Sequence, residues 1–573
     1  MVDQYSLVTT RHPFPAVIIL VITFSMAPSL CTPADQITYC LNLHNIKNFT
    51  TLPNTQNDSN SAYYKLLNFS IQNLRFAGPK ISKPLAIILP ESVEEVANSV
   101  LCCREASWQI RVRCGGHSYE GTSSVGGDTN KPFVILDMMN LNQVVVDMED
   151  EMAWVEGGAT LGEIYYEIAM ASQELGFSAG SCPTVGVGGH VTGGGFGFLS
   201  RKYGVAADNV VDALLVDSEG ELLDRKAMGE DVFWAIRGGG GGVWGVIYAW
   251  KIKLLKVPPT VTSFIVSRPE SEGFNVAELV EKWQHVAHDL TDDFYLSCFM
   301  GAHLPETMTI GMSATFRGFF LGRRTQAISI LNKEFPELRV EENDCTDMSW
   351  IESVLFFSGL PTGATISELR NRYLQGKGYF KAKSDYVRTP VTFAGIRTMM
   401  DILEKEPKGY VIMDPYGGIM KRITSDAIAF PHRKGNLFAI QYLVEWKEED
   451  DEKREDYMDW MRGFYESMKP YVSGGPRAAY VNYMDLDLGQ LQPPVSAAID
   501  DLNYSYEDTV EIARVWGEKY FLKNYDRLVR AKTLVDPTNF FTNQQPIPPL
   551  NMGSSLRKIG SDHGDDHERD KSS

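Results

Sequence analysis

Apolar runs bounded by turn residues alternate with amphipathic stretches in the first half of the chain. The run KPLAIILP from Lys83 predicts a buried strand, and the next segment, SVEEVANSVLCCREA, predicts a helix. Ser92 is the expected N-cap, because Glu95 follows three residues later and completes a capping box. Further strands are predicted at QIRVRC, FVILDM, QVVVDM and DNVVDALLV, the last followed by a tight turn at residues 218–220. This alternation predicts an α+β or α/β unit.

The pattern changes in residues 258–478. Strand candidates (TSFIVSR, MTIGMSATF, NLFAIQYLVEW) are mixed there with long helix candidates such as GFNVAELVEKWQHVAHDL and RRTQAISILNKEF. The mixture predicts an antiparallel sheet with helices packed on one face. Residues 479–549 contain the segments YVNYMDLDLG and LVDPTNFF. Between these segments we predict one long helix from Glu507 to about Lys532. The Gly-, Ser- and charge-rich residues 550–573 predict a disordered tail.

The N-terminus predicts export. Arg11 and His12 precede an apolar run from Phe14 to Ala27, which has the length of a signal-peptide core and is shorter than the roughly 20 residues of a membrane span. We therefore predict a cleaved secretory signal in residues 1–30, no stable membrane insertion, and an extracellular or cell-wall location, with the vacuole or another secretory compartment as the alternative. An uncleaved anchor is the competing interpretation of the run.

Sequons and cysteines agree with export. N-x-S/T sequons that predict glycosylation occur at Asn48, Asn57, Asn68 and Asn503. The eight cysteines do not have the spacing of a zinc site, and we expect no metal. They are too few for a disulfide scaffold, so one structural bridge and several buried thiols are expected.

The net charge of the chain argues against nucleic-acid binding. The formal net charge is −19, whereas a nucleic-acid binder needs a basic face. The 44% hydrophobic content is ordinary and supplies ample material for large cores. We expect no nucleic-acid partner, and a monomer is favoured.

Glycine is concentrated in three segments, Cys114–Gly121, Gly180–Gly204 and Arg237–Val246. Glycine lets the backbone approach a ligand, and successive exposed N–H groups form a nest for phosphate oxygens. Three such segments indicate a large anionic cofactor. None has the strand–helix context of a dinucleotide-binding G-x-G-x-x-G, and none ends in the G-K-[S/T] of a P-loop.

Four motifs, RVRCGGHSYEG, SCPTVGVGGH, NYMDLDLG and LVDPTNFFTNQQPIP, resemble the berberine bridge enzyme-like flavoproteins of plants. The resemblance runs in order from about Cys40 to Pro549. It implies an α+β fold of the vanillyl-alcohol oxidase type: a PCMH-type FAD-binding domain of two α+β subdomains (35–257), a substrate domain with an antiparallel sheet backed by helices (258–478), and a C-terminal part that returns to the FAD domain (479–549).

The resemblance also implies that FAD is held by two covalent bonds. His117 matches the histidine bonded to the 8α carbon of the flavin, and Cys182 matches the cysteine bonded to C6. His190 matches a histidine near flavin N1. Cys40 and Cys102 match the family's disulfide bridge, with Cys103 as a rival partner. Further FAD contacts are expected from Gly115, Gly116, Ser118, Gly186, Gly188, Gly189, Gly193, Val246 and Asn539.

A tyrosine-rich site is implied for catalysis. Its expected members are Tyr119, Tyr203, Gln441 and Tyr483. Tyr483 is the first choice for the catalytic base and Tyr203 the second, although a tyrosine of ordinary pKa must be strongly shifted to act near neutrality. Val185 matches an oxygen gatekeeper, at which valine accompanies reaction with O2 and leucine blocks it. The partners expected are therefore a small-molecule substrate and O2.

Two departures from family patterns bear on the substrate: Ala439 stands where monolignol-oxidising members have a lysine, and Met484 replaces a more usual arginine. Gln441 matches the alcohol-oxidising branch and argues mildly against the alkaloid-oxidising members, which favour a glutamate as base. We predict an oxidase that acts on an alcohol group, with a sugar or oligosaccharide as the leading substrate class. The alternatives are a specialised metabolite (a monolignol, an alkaloid or a related phenolic) and a flavin-loaded protein with little turnover, such as an allergen.

Overall fold

A computed structural model describes residues 32–53, 61–127, 131–304, 311–373, 376–491 and 506–550. These residues form β1 Phe49–Thr51, β2 Ala86–Ile88, β3 Gln109–Arg113, β4 Phe133–Asp137, β5 Val144–Asp147, β6 Met152–Glu156, β7 Leu175–Gly176, β8 Val210–Val216, β9 Leu222–Leu223, β10 Val246–Lys253, β11 Leu255–Lys256, β12 Val261–Pro269, β13 Phe294–Gly301, β14 Ser313–Phe320, β15 Thr346–Met348, β16 Tyr379–Val387, β17 Gly409–Pro415 and β18 Phe438–Trp446. The helices are α1 Pro33–Leu43, α2 Ala62–Phe69, α3 Val93–Glu105, α4 Leu161–Ala171, α5 Val187–Thr192, α6 Ser200–Tyr203, α7 Arg225–Ala235, α8 Val276–Val286, α9 Arg324–Glu334, α10 Trp350–Phe357, α11 Phe393–Leu403, α12 Arg454–Met468, α13 Tyr506–Phe521 and α14 Tyr525–Val535.

The first sheet has the order β1-β2-β4-β3, and β4 is parallel to both β2 and β3. Helix α3 connects β2 to β3 and packs Val96 and Val100 into the core. Ser92 caps α3 as predicted, with its side chain accepting a hydrogen bond from Glu95 N at 3.2 Å. The predicted capping box is incomplete, because the Glu95 carboxylate accepts from Glu91 N instead of Ser92 N.

The second sheet is antiparallel, with the order β5-β6-β10-β8-β9. The predicted turn between β8 and β9 is present: the Asp217 side chain accepts from the backbone N of Glu219 and Glu221, and Gly220 has φ 75°. Together the two sheets and their helices make the two α+β subdomains, and the glycine-rich segments connect their elements.

The third sheet has seven strands in the order β15-β12-β14-β13-β17-β18-β16, all pairs antiparallel. Helices α8, α11 and α12 contact this sheet. Along β13, Phe294, Leu296 and Cys298 are buried in the core, whereas alternate residues of the strand line a cavity. The sheet predicted for residues 258–478 is thus confirmed, and its face away from the core forms one wall of the functional site.

Residues after 479 return to the first two sheets. Helix α14 contacts α7, and Lys532 Nζ donates to the carbonyls of Val243 (2.6 Å) and Phe541 (2.7 Å). The prediction of a single helix was wrong: α13 ends at Phe521, Leu522 has φ 48°, and α14 begins at Tyr525.

Cys40 of α1 and Cys102 of α3 form a disulfide, which leaves Cys103 as a buried free thiol. The side chains of Asn48 and Asn68 are exposed. No helix in the described ranges is both long and apolar enough to cross a bilayer. The predicted signal, Asn57, Asn503 and the tail beyond Leu550 lie outside the described residues.

Candidate flavin site and substrate cavity

A cavity of about 1070 Å³ lies where the three sheets and the C-terminal segment meet. The glycine-rich segments form one part of its lining, and strands β13, β14, β17 and β18 form another. Residues 480–484 and 542–543 complete it. Every part of the chain that the motifs singled out therefore contributes to one space.

The glycines of this wall serve two different purposes. A Cβ on Gly115 would lie 2.4 Å from Thr184 O, and Gly116 has φ 70° with Ser70 O 1.6 Å from any Cβ, so neither site admits a side chain. A Cβ on Gly189 or Gly242 would meet nothing within 4 Å, although both residues line the cavity. The first pair holds the loop of His117, and the second pair leaves bare backbone facing the cavity.

His117 and Cys182 line the cavity and share a neighbour. His117 Nε2 lies 2.8 Å from Thr184 Oγ1, and Cys182 Sγ lies 3.6 Å from the same oxygen. Burial, reinforced by the charge of Lys377, lowers the pKa of His117 to about 4, so the imidazole is neutral and nucleophilic at neutral pH. Cys182 is a half-buried free thiol. The structure therefore brings the two predicted attachment residues to one patch.

His190 also lines the cavity. Its Nε2 accepts a hydrogen bond from Gly180 N at 3.2 Å, which places the ring proton on Nδ1. Its backbone carbonyl accepts from Asn482 Nδ2 at 3.0 Å. Burial lowers the pKa of His190 to about 4. A neutral, fixed imidazole of this kind can donate one hydrogen bond to a negatively charged group.

The polar groups of the wall fit FAD. Within the described part of the chain, Gln72 Oε1 and Ser123 Oγ are buried, line the cavity and have no hydrogen-bond partner. Buried polar atoms are nearly always paired, so both oxygens fit a ligand that supplies hydrogen-bond donors, as a ribose or an adenine does. Gly186, Gly188, Ser118 and Val185 also line the cavity, as predicted for residues around a flavin.

A stacked tyrosine pair lies in the same cavity. The rings of Tyr119 and Tyr483 are 5.3 Å apart and 8° from parallel, and Gln441 Nε2 donates to Tyr119 Oη at 2.6 Å. Tyr119 and Tyr483 line the cavity, whereas Gln441 supports Tyr119 from behind. Burial raises the pKa of both tyrosines above the ordinary value, and for Tyr483 the neighbouring Tyr119 adds to the rise. The pair is well placed to orient a substrate and difficult to ionise.

Tyr203 is not brought to the cavity. Its hydroxyl donates to the carbonyl of Lys256, away from the Tyr119–Tyr483 pair. Phe196, which lies just before helix α6 in the chain, lines the cavity instead. Its ring stacks on Tyr416, with the ring centres 5.0 Å apart. The second choice for a catalytic base thus has no access to a substrate there.

Three predicted FAD contacts have other local roles. A Cβ on Gly193 would lie 1.9 Å from Asn482 Oδ1, so this glycine makes room for Asn482. Val246 is fully buried in β10, next to Gly245, which does line the cavity. Asn539 occupies a turn with φ 54°, and Thr542 and Asn543 line the cavity in its place.

The sheet wall contains polar residues that the motifs did not reveal. Tyr295 donates a hydrogen bond to Asp414 Oδ1, and Tyr410 donates to Glu445 Oε1 at 2.8 Å. Arg317 lies over the ring of Phe299, 4.3 Å from its centre. These residues alternate along their strands, which is the one sequence feature that marks them as sharing a face.

This combination of a glycine wall, a His–Cys pair and a substrate-facing sheet defines an FAD-dependent oxidoreductase. Family models described as "FAD binding domain" and "Berberine and berberine like" match residues 84–225 and 479–548. The chain is 60% identical over 545 residues to "Berberine bridge enzyme-like D-2" of Nicotiana tabacum, covering 93% of this chain and 96% of that one. It is 48% identical over 528 residues to the reticuline oxidase of Eschscholzia californica, covering 92% and 94%.

Solved structures agree. Berberine bridge enzyme from Eschscholzia californica superposes with a TM-score of 0.83 at 48% identity, covering 90% of this chain and 99% of that one. A variant of Phl p 4 described as a glucose dehydrogenase gives a TM-score of 0.81 at 40% identity, covering 90% and 100%. The chain belongs to the berberine bridge enzyme-like family and has its PCMH-type FAD-binding fold; it is an FAD-dependent oxidase of that family.

Proposed function

We propose that this protein is a secreted oxidase that holds FAD through both His117 and Cys182, oxidises an alcohol group of a sugar or oligosaccharide, and returns the electrons to O2 as H2O2. One observation carries the proposal: Thr184 Oγ1 lies 2.8 Å from His117 Nε2 and 3.6 Å from Cys182 Sγ, and both of those residues line the cavity that the Tyr119–Tyr483 pair also lines.

The chain's own residues would hold and orient the reactants. The chemistry that FAD would supply here is acceptance of a hydride from the substrate and transfer of two electrons to O2. His117 and Cys182 would fix the ring, His190 would stabilise negative charge near it, and bare backbone at Gly189 and Gly242 would admit the anionic part of the cofactor. Two attachment points leave the protein free to keep the substrate side open, which suits bulky substrates.

The sugar assignment is supported by polar groups on the sheet wall and by a glucose dehydrogenase variant among similar structures. A second candidate is an aromatic metabolite of the alkaloid or phenolic kind. It is favoured by the aromatic lining, with Phe196, Phe299 and Phe380 at the cavity, and by the reticuline oxidases among the relatives.

A substrate screen would decide between them. Under anaerobic conditions, bleaching of the flavin absorbance by D-glucose or cellobiose is expected, with formation of the corresponding lactone. Bleaching by (S)-reticuline or coniferyl alcohol, with none by either sugar, would replace the sugar assignment with the metabolite. No bleaching by any of them would leave a flavin-loaded protein with little turnover.

The two attachments have a separate test. His117→Ala and Cys182→Ala are each expected to retain flavin after denaturation through the remaining bond, and the double variant is expected to release it. Cys345→Ala is a matched control, since Cys345 is a buried free thiol that does not line the cavity. Release of flavin from the denatured wild-type protein would refute the proposal.

Secretion is supported by the apolar run at Phe14–Ala27, the Cys40–Cys102 disulfide and the exposed sequons at Asn48 and Asn68. We expect the mature N-terminus of protein recovered from culture medium to lie near residues 29–34. Asn68→Gln is expected to reduce the mass by one glycan. Retention of the intact N-terminus inside cells would exclude this location.

A further inference from the structure

The residue that removes the substrate proton is the open step of the proposed reaction. Gln441 is an amide and cannot accept a proton. Tyr203 lies outside the cavity, and burial holds the pKa of Tyr483 well above its ordinary value. Among the described residues that line the cavity, the carboxylates are Asp414 and Glu445. Glu445 is exposed and accepts a hydrogen bond from Tyr410.

Asp414 lies deeper, near the end of β17. Its Oδ1 accepts a hydrogen bond from the hydroxyl of Tyr295, which also lines the cavity. No hydrogen bond to Asp414 Oδ2 is found among the described residues, so one oxygen of the carboxylate is available to a ligand. Tyr295 contacts Phe196, with ring centres 6.3 Å apart, so the dyad adjoins the glycine-rich loop that carries His190.

The register of the sheet places Ala439 directly opposite Asp414 on the neighbouring strand β18. In the sequence comparison above, the position of Ala439 is a lysine in the monolignol-oxidising members of the family. A lysine there would stabilise a tyrosinate, whereas here a methyl group faces a carboxylate. Position 439 therefore supplies no cation to this wall, and a negative Asp414 opposes ionisation of the tyrosines nearby.

We propose that Asp414 is the catalytic base of this enzyme and that Tyr295 positions it. The inference rests on the proposed alcohol oxidation. The substrate O–H bond breaks and its proton moves to the Asp414 carboxylate, while the carbon–hydrogen bond gives its hydride to FAD. The alcohol is thereby oxidised by two electrons to a carbonyl, or to a lactone from a lactol, and the flavin is reduced by the same two electrons.

The surroundings of Asp414 suit this role. Burial raises the pKa of Asp414 to about 6, against the opposing effects of the Tyr295 hydroxyl and the positive charge of Arg317 on β14. A base with this pKa is ionised at neutral pH and still binds a proton. The other titratable groups that face it are Tyr416, Tyr480 and Tyr483, and the charge of Asp414 raises the pKa of each.

Cellobiose, the probe of the proposed function, tests the assignment in anaerobic stopped-flow reduction of the flavin. Asp414→Asn is expected to slow flavin reduction by about 10²- to 10⁴-fold with the flavin still bound. Tyr483→Phe is expected to slow it by less than about tenfold. The opposite ranking of the two variants would overturn the assignment.

The pH profile gives a second criterion. Because the reacting form of Asp414 is ionised, the wild-type reduction rate is expected to fall as pH drops through about 6. Tyr295→Phe removes a hydrogen bond that favours the carboxylate, so the inflection is expected to move to higher pH while flavin content is unchanged. An inflection that stays in place in Tyr295→Phe, or a rate that rises only in alkaline solution, would refute the dyad.

A substrate-free measurement separates this inference from the proposed function. In infrared difference spectra of the flavin-loaded protein, a carboxyl band is expected to disappear as pH rises through about 6 and to be missing in Asp414→Asn. If cellobiose does not reduce the wild type, the sugar assignment fails. The pH titration of the carboxyl band is then the test of Asp414. A spectrum without the band in the wild type would overturn the inference whatever the substrate.

Discussion

At the scale of single residues, the geometry of the site depends on small polar groups that connect larger side chains. The hydroxyl of Thr184 is shared by His117 and Cys182, and the hydroxyl of Tyr480 accepts from Gly195 N and Asn482 Nδ2, each at 3.0 Å. Asn482 in turn donates to the carbonyl of His190. One missing or added methyl group is therefore enough to disturb the geometry.

The first residue-scale prediction concerns Val185, which lines the cavity between Cys182 and Gly186. Val185→Leu adds one methylene at the position predicted to control the approach of O2 to the flavin, so reoxidation is expected to slow by at least about tenfold while reduction by substrate is nearly unchanged. Mixing the reduced protein with air-saturated buffer measures the rate. Equal reoxidation rates in wild type and variant would show that Val185 does not control the access of O2 to the flavin.

The second concerns Gly193. An alanine Cβ would lie 1.9 Å from Asn482 Oδ1, and Asn482 is held by two hydrogen bonds, so Gly193→Ala is expected to lower the free energy of unfolding by about 1–3 kcal/mol. Thermal or urea unfolding measures the change. Gly463→Ala is the matched control: Gly463 lies in α12 with nothing within 4 Å, and alanine there should stabilise slightly. Similar losses in both variants would contradict the packing argument.

At the scale of elements, strand β16 ties two motif loops together. Lys381 and Lys383 point to the same side of the strand and are each only 2% exposed. Lys381 Nζ pairs with Glu120, which follows Tyr119, and with Asp485 at 2.7 Å; Lys383 Nζ pairs with Asp485 at 2.6 Å. The stacking of Tyr119 on Tyr483 is thus supported by a buried ion-pair cluster behind both loops.

Removing Lys381 leaves buried Glu120 with the longer 3.8 Å pair to Arg75 and leaves buried Asp485 to share Lys383, so the cluster becomes deficient in positive charge. Lys381→Met is expected to lower the free energy of unfolding by about 3–5 kcal/mol. Lys256→Met, which breaks the exposed pair with Glu151, is expected to cost about 0–1 kcal/mol. Chemical unfolding of both variants measures the contrast. Losses of the same size would show that the cluster contributes no more than a surface pair.

The elements also show what could be predicted from sequence. Residues that share a motif, such as His117 with Gly115 and Gly116 in one motif and Cys182 with Gly186 in another, are placed by local backbone geometry, so a motif is sufficient to find each of them. Asp414 and Tyr295 meet only through the register of two neighbouring strands, β13 and β17, which no local pattern specifies. A motif match also does not report which way a short helix turns its side chains, and the Tyr203 hydroxyl donates to the carbonyl of Lys256 instead of lining the cavity.

At the scale of the whole molecule, the disulfide joins the N-terminal helix to the first subdomain. The bond between Cys40 and Cys102 closes a loop with a sequence separation of 62. Helix α1 otherwise packs through Ile37 and Leu41, while Tyr39 and Leu43 are exposed. The bridge therefore constrains a helix whose two buried side chains, Ile37 and Leu41, join the core of the first subdomain.

Replacing both bridged cysteines by alanine is expected to lower the free energy of unfolding by about 4 kcal/mol, from the chain entropy of a loop of this length. Cys103→Ala changes an adjacent buried thiol that is not bridged, and should cost about 1 kcal/mol. Denaturant unfolding of the three proteins measures the difference. A double variant no less stable than Cys103→Ala would mean that the bridge does not stabilise the fold.

The stacked tyrosines also set an order of events during biosynthesis. Tyr119 leaves the ribosome long before its stacking partner Tyr483 and the cavity residues Thr542 and Asn543, which follow it by more than 350 residues. The cavity cannot close while these residues are still in the exit tunnel. A nonsense codon between residues 183 and 479 therefore yields a polypeptide that contains both predicted attachment residues, His117 and Cys182, but lacks Tyr483, Thr542 and Asn543 and so has no complete cavity.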